Sequence, residues 1–214
     1  YNDSLVLMYN FDNRSSLGEN DTKFFDVSKY KNNGTGADSP NSPKINITNC
    51  KFGNCVTFSE TATDGIINVS HNNSLNFVSN MTMAVWLNLL YLPSGGLVKN
   101  DIAVKGISYR MYVSTGDVVT FGIYDGTWQE AADPTAFTSG TLNKWNHFVG
   151  VFNGTDVNLY RNGVRVVTTN AITTISTSTI DLNLGGTKSQ VQSYLGGSLD
   201  DFILINRSFT DSEV

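Results

Sequence analysis

Two adjacent carboxylates, Asp200 and Asp201, lead into the apolar run Phe202-Ile203-Leu204-Ile205 near the end of the 214-residue chain. Neighbours on a strand point to opposite faces of a sheet, so each acid should face a different side at the mouth of a buried strand. Acids that point apart do not form a glycosidase pair, which needs two carboxyl groups aimed at one bond. The alternating E-x-D-x-E pattern that would supply such a pair is absent. Glu130 and Asp133 flank a stretch without β pattern, and His71 and His147 have no nucleophile beside them because no G-x-S-x-G occurs. The expectation is a protein that is not an enzyme.

A second set of polar and aromatic residues lies in IYDGTWQEAAD, where Tyr124, Asp125, Trp128, Gln129 and Glu130 crowd one loop region. An exposed indole flanked by carboxylates and carboxamides is the chemistry of a sugar platform: the ring stacks on the pyranose face and the polar groups bind hydroxyls. The other reading of Trp128 is an edge cap on the fold. ETATDG (Glu60, Asp64) and VKNDIA (Asp101) offer further acids for the same rim.

Cys50 and Cys55 enclose the short segment CKFGNC. Such a pair suits a metal half-site or a disulfide. With no second half-site, and with both histidines far away, a disulfide closing a tight turn is favoured. It would contribute about 2 kcal/mol through loop entropy and implies an oxidising compartment. N-x-S/T sequons start at Asn2, Asn13, Asn20, Asn33, Asn46, Asn68, Asn72, Asn80, Asn153 and Asn206. Together with the cysteine pair they point to a secreted or surface-exposed glycoprotein.

The bulk numbers agree. Net charge is -5, charged residues are only 15%, and no basic run exists, which argues against nucleic acid or anionic membrane as partners. Hydrophobic content of 40% and a mean hydropathy of -0.16 belong to a folding chain. The apolar runs are strand-sized, far below a membrane span. The chain opens at Tyr1 without Met, as an excised segment of a larger protein would.

These residues must be positioned by strands. SLVLMYNF, CVTFSE, DGIINVS, MTMAVWLNLL, YRMYVST, DVVTFGIYDG, KWNHFVGVFN, DVNLYRNGVRVVTT, LNLGG and DDFILIN alternate with turn-rich segments, and no long window is helical. That spacing predicts an all-β, two-sheet antiparallel sandwich forming a single domain over residues 1–214. Asn162-Gly163 marks a hairpin, with Leu159, Val164 and Val166 on its apolar face. The Ser/Thr run from Thr168 to Thr179 reads as a β edge or loop.

The order of SLVLMYNFDN, FFDVSKYKNNGTG, KFGNCVTFSE, MTMAVWLN, WNHFVGVFNGTDVNLYRNGV and GGSLDDFILINRSFTDSEV resembles the LamG-like family of concanavalin A-like jelly rolls, in the form common in microbial surface proteins. The resemblance implies a jelly roll with Trp86 and Trp145 in the core. It also implies a structural Ca²⁺ where the terminal strands meet, held by Asp12, the carbonyls of Asn33 or Gly34, and Asp200. Ca²⁺ takes six to eight oxygens and would offset the desolvation of a buried acid. The functional expectation is an extracellular recognition module that binds a glycan or a cell-surface protein in adhesion. The rival is a structural spacer or assembly domain with no ligand of its own; a glycoside hydrolase or lyase ranks below both.

Overall fold

The computed structural model describes residues 3–37, 41–59, 65–95, 99–171, 173–187 and 193–214. Asn2, Glu60 and Asp64 lie outside them. Among the described residues sixteen strands run in chain order: β1 Leu5–Tyr9, β2 Lys23–Phe24, β3 Gly34–Gly36, β4 Lys44–Asn46, β5 Cys55–Phe58, β6 Ile67–Val69, β7 Met81–Leu89 and β8 Asn100–Lys105. They continue with β9 Tyr109–Val113, β10 Val119–Tyr124, β11 Trp128–Ala132, β12 Trp145–Phe152, β13 Asp156–Arg161, β14 Val164–Asn170, β15 Leu182–Leu184 and β16 Gly197–Ile205. Sheet A has the order β14-β13-β12-β7-β16-β5-β4, with β1 also paired to β16; sheet B has the order β11-β10-β9-β8-β15-β6-β3-β2. All pairings are antiparallel, and the helical segments described are single 3-10 turns. This is the two-sheet antiparallel sandwich that the apolar spacing predicts, in the jelly-roll form that the resemblance implies.

Alternation explains the core. In β9, Tyr109, Met111 and Val113 are buried while Arg110 and Tyr112 are not; β10 likewise turns Val119, Phe121 and Ile123 inward. Phe148, Phe152, Phe202, Leu87 and Leu89 of sheet A meet them in one apolar cluster. Gly150 of β12 lies where a Cβ would strike the Phe121 ring, so the sheets reach contact distance there only because the side chain is absent. At the predicted hairpin, Asn162 and Gly163 both take positive φ (52° and 80°), the backbone that Asn-Gly tolerates.

Three expectations for side chains need correction. Trp86 and Trp145 are half-buried and stand outside the apolar cluster, because their strand positions place them on the outer face of sheet A. Val164 is 65% exposed: a bulge between Leu159 and Tyr160 shifts the β13–β14 register, leaving Val166 and Val167 to pack inward. Trp128 and Glu130, read as loop, belong to β11, an edge strand too short and too polar to show a β pattern.

Another bulge governs the acid pair. β16 pairs with β5 along Gly197–Leu199, then with β1 along Phe202–Ile205, while β7 follows its other side with a register shift between Asp200 and Ile203. Asp201 sits at φ 46°, so the two acids do not simply alternate. They occupy the gap where one neighbour strand hands over to another. A different acid ties the N-terminus down. Buried Asp26 accepts hydrogen bonds from the Met8 amide (3.0 Å), the Ser28 amide (2.8 Å) and hydroxyl (2.6 Å), and the Asn32 amide (2.8 Å).

Candidate functional site

The outward residues of sheet B line up in register across six strands: Asn68, Asn183, Val104, Arg110, Gly122 and Glu130. A cleft of about 430 Å³ lies on this face, lined in part by Asn68, Asn183, Arg110, Trp128, Lys99 and Asp181. Gly122 is required by the row. A Cβ there would crowd the Glu130 side chain, and its absence lets Arg110 and Glu130 meet over β10. Arg110 Nε donates to Glu130 Oε1 at 2.8 Å, and the Tyr112 hydroxyl donates to Oε2 at 3.2 Å. Burial and the neighbouring Glu130 charge push the Tyr112 phenol up.

The same guanidinium fixes the indole. Arg110 stacks 3.8 Å from the Trp128 ring centroid, and Tyr124 packs edge-on to that ring at 5.2 Å. Trp128 therefore enters the cleft as a rigid, half-exposed ring, while the exposed apolar residues Ile107 and Ile180 form part of the rim.

The opposite end of the cleft is a polar network. Asp181 accepts from the His71 amide at 2.8 Å and from Asn68 Nδ2 at 3.0 Å. Beneath it, Lys105 is fully buried. Its ammonium donates to the carbonyls of Ser178 (2.8 Å) and Ile180, and lies 3.2 Å from His71 Nδ1. Burial lowers its pKa to about 8, against the opposing pull of Asp181. Lys99 forms a 2.8 Å ion pair with Asp101, which is buried in β8.

Tyr124, Asp125, Trp128 and Gln129 do not share one face. Trp128 lines the cleft with Tyr124 behind it. Gln129, the next residue on the strand, turns away and donates to Asp125 at 3.2 Å across the β10–β11 turn. The missed members, Arg110, Asn68, Asp181 and Asn183, come from three separate segments: β9, β6 and the stretch around β15. Only Arg110 had a legible signal, the alternation of YRMYV, which sets Arg110 and Tyr112 on the face opposite the core.

The Cys50–Cys55 disulfide is formed. Its loop engages the acids expected to hold calcium. Asp200, fully buried, accepts from the Phe52 amide (2.9 Å) and from the Asp201 amide (2.9 Å). Asp12 accepts from the Asn54 amide at 3.3 Å and pairs with Arg14 at 3.6 Å. Gly53 lies against Asp12 so closely that any Cβ would collide with it. Asn33 and Gly34 sit elsewhere: Asn33 Oδ1 accepts from the Asp26 amide, and Gly34 is buried in β3 against Tyr9 and Ile67. No described contact joins them to Asp12 or Asp200. Among the described residues no group of three His, Cys, Asp or Glu side chains is placed to hold a metal. The described contacts do not bring the four residues together as one set; Asp200 is engaged by the Phe52 amide of the disulfide loop.

Of the sequon asparagines, Asn13, Asn20, Asn33, Asn72, Asn153 and Asn206 are exposed, whereas Asn46, Asn68 and Asn80 are half-buried. Among the described residues no helix is long and apolar enough to cross a membrane.

Solved structures share the fold at low identity. The binding domain of Paraclostridial Mosquitocidal Protein 1 matches with a TM-score of 0.74 and 18% identity, over 99% of this chain and 51% of that one. Domain 4 of AbnA, a GH43 extracellular arabinanase from Geobacillus stearothermophilus solved with arabinotriose, matches with a TM-score of 0.74 and 14% identity, over 98% and 96%. The ligand-binding domain of botulinum neurotoxin serotype D, solved with N-acetylneuraminic acid, matches with a TM-score of 0.73 and 14% identity, over 99% and 49%. This chain thus spans about half the length of the mosquitocidal-protein and neurotoxin chains it matches. No curated protein matches it. A family model described as the concanavalin A-like lectin/glucanases superfamily matches residues 61–214, and the chain belongs to that family.

Proposed function

We propose that the chain, as one domain, is a non-catalytic glycan-recognition module of a secreted or surface protein, and that the sheet B cleft holds the glycan. The observation that carries this reading is the immobilised indole. Trp128 is locked by Arg110 and Tyr124 at one end of a cleft whose other end presents Asn68, Asn183 and Asp181. A fixed ring loses little entropy when a sugar stacks on it, and carboxamides and a carboxylate suit hydroxyl groups. Both carboxylates at the cleft are committed, Glu130 to Arg110 and Tyr112, Asp181 to amide donors, which supports binding over bond cleavage. Two fold relatives were solved with saccharides bound, arabinotriose and N-acetylneuraminic acid. The disulfide supports a location outside the reducing cytosol. A glycan array with the wild type, Trp128→Ala and Arg110→Ala tests the reading. Binding that both variants lose is expected. Wild-type binding untouched by either change removes this cleft, and no binding to any glycan leaves the spacer role.

A further inference from the structure

Sheet A has its own outward face, and most of it is covered. Phe209 and Val214 of the C-terminal segment pack on Ala84, Val149, Val151 and Tyr160. One register step along, the disulfide loop covers the next pair: Phe52 packs edge-on to Trp86 at 5.9 Å, Lys51 lies 4.1 Å over the same ring, and His147 stacks beside it at 4.9 Å. The row after that is open. Thr57, Ser198, Asn88 and Trp145 pair in register across β5, β16, β7 and β12. Their strand neighbours Val56, Leu199 and Leu87 point into the core, so all four side chains face out.

We propose that this row is the floor of a second saccharide site, one that takes an uncharged sugar. The cleft above it measures about 480 Å³, and among the described residues no acidic or basic side chain lines it. Lys44, next in register, turns instead to Asp21 at 3.4 Å. Asn46 Nδ2 donates to Thr57 Oγ1 at 2.7 Å, and Thr57 Oγ1 lies 2.8 Å from Ser198 Oγ, a chain of hydroxyl and amide groups of the kind that exchanges hydrogen bonds with sugar hydroxyls. Asn88 lines the same cleft and is 6% exposed, yet its Oδ1 has no hydrogen-bond partner, an unfilled acceptor in an otherwise satisfied floor. Trp145 closes one end. Its Nε1–H donates to the Asn49 carbonyl at 2.8 Å, which pins the indole to the residue just before Cys50 of the disulfide. A neutral lining offers an anionic ligand no counter-charge, whereas a pinned ring with amides and hydroxyls matches a neutral sugar. Asn46 begins a sequon, so a glycan attached there would fill this cleft itself.

The inference stands apart from the reading of sheet B, and one experiment separates them. The full chain, made in a host that adds no N-glycan, is titrated with arabinotriose, mannotriose and cellotriose while the Trp145 indole and Asn88 amide signals are followed by NMR. At least one sugar should move both signals saturably, and the shifts should survive Trp128→Ala. Trp145→Ala should weaken binding about tenfold. Trp145→Phe, which keeps a ring but drops the bond to Asn49, should weaken it less. The proposal is overturned if no sugar moves either signal, if Trp128→Ala abolishes the shifts, or if Trp145→Phe loses as much as Trp145→Ala.

Discussion

The two outer faces of the sandwich are built by the same rule and end with opposite chemistry. On sheet B the row from Asn68 to Glu130 is held by ion pairs: Arg110 with Glu130, and Lys99 with Asp101 beside it. On sheet A the open row is neutral, and its wall is a disulfide loop held by two carboxylates, Asp12 and Asp200, through backbone amides. Period-two alternation decides only that a residue faces outward. What the face can bind depends on which outward residues register aligns, and on what the neighbouring loops already cover.

That contrast can be broken most strongly through pH. Burial, then the Asp201 charge, raises Asp200 to about 7, while in the unfolded chain it titrates near 3.8. Between those values the folded state holds a proton that the unfolded state has lost, so stability declines as pH rises from about 4 to about 7. The decline should reach a few kcal/mol, since each pKa unit is worth about 1.4 kcal/mol. Asp200→Asn should flatten most of it in urea melts taken across that range. A wild-type profile that is flat or rises with pH would show that Asp200 is not buried as described.

Removing the disulfide comes next. Cys50→Ser with Cys55→Ser should lower stability by about 2 kcal/mol, read as a drop in Tm, and should loosen Asn49 and Trp145 while leaving Trp128 fluorescence unchanged. A change at both indoles would mean that the two faces are coupled. On the other sheet, Arg110→Ala should cost about 1 kcal/mol and alter Trp128 fluorescence, leaving Trp145 as it was. Trp128→Ala is expected to shift stability by less than about 1 kcal/mol, because a half-exposed edge residue leaves little cavity. A larger loss would make Trp128 a structural cap. The smallest effect is expected from calcium. Tm in millimolar Ca²⁺ and in chelator should coincide, because the oxygens of Asp12 and Asp200 already accept backbone amides. A rise of several degrees would put an ion among these acids.

Much of the fold was legible because its long strands carry their own signal. β7, β12, β13 and β16 each hold at least six residues of apolar or alternating character, and Asn162-Gly163 fixes one turn by backbone preference alone. Of the short strands, β6 and β15 were legible and others were not. β2, β3 and β4 are two or three residues long, less than one full alternation, and β11 offers Trp-Gln-Glu-Ala-Ala at a sheet edge, where half-exposure erases the pattern. Trp86 and Trp145 were assigned to the core because the resemblance set them on core strands. The strand phase that sends them outward is set by inward neighbours, Val85 and Leu87 for Trp86, whose burial no single residue announces.

The sequence by itself determined the class of fold, the disulfide, the hairpin at Asn162-Gly163 and the acidic entrance to β16, since all of these depend on residues close in the chain. Only the tertiary structure decided which side chains share a cleft. Asn68, Arg110, Trp128 and Asp181 lie on different strands and loops, as do Thr57, Asn88, Trp145 and Ser198, and they meet because antiparallel pairing aligns strands distant in sequence. Asp200 shows the division most clearly. Its place before an apolar strand marks it as a residue under constraint, but the partner that satisfies it, the amide of Phe52, lies 148 residues away in sequence. A local reading sees the charge and its place before a buried strand; only the folded chain supplies the donor that offsets part of the cost of burying it.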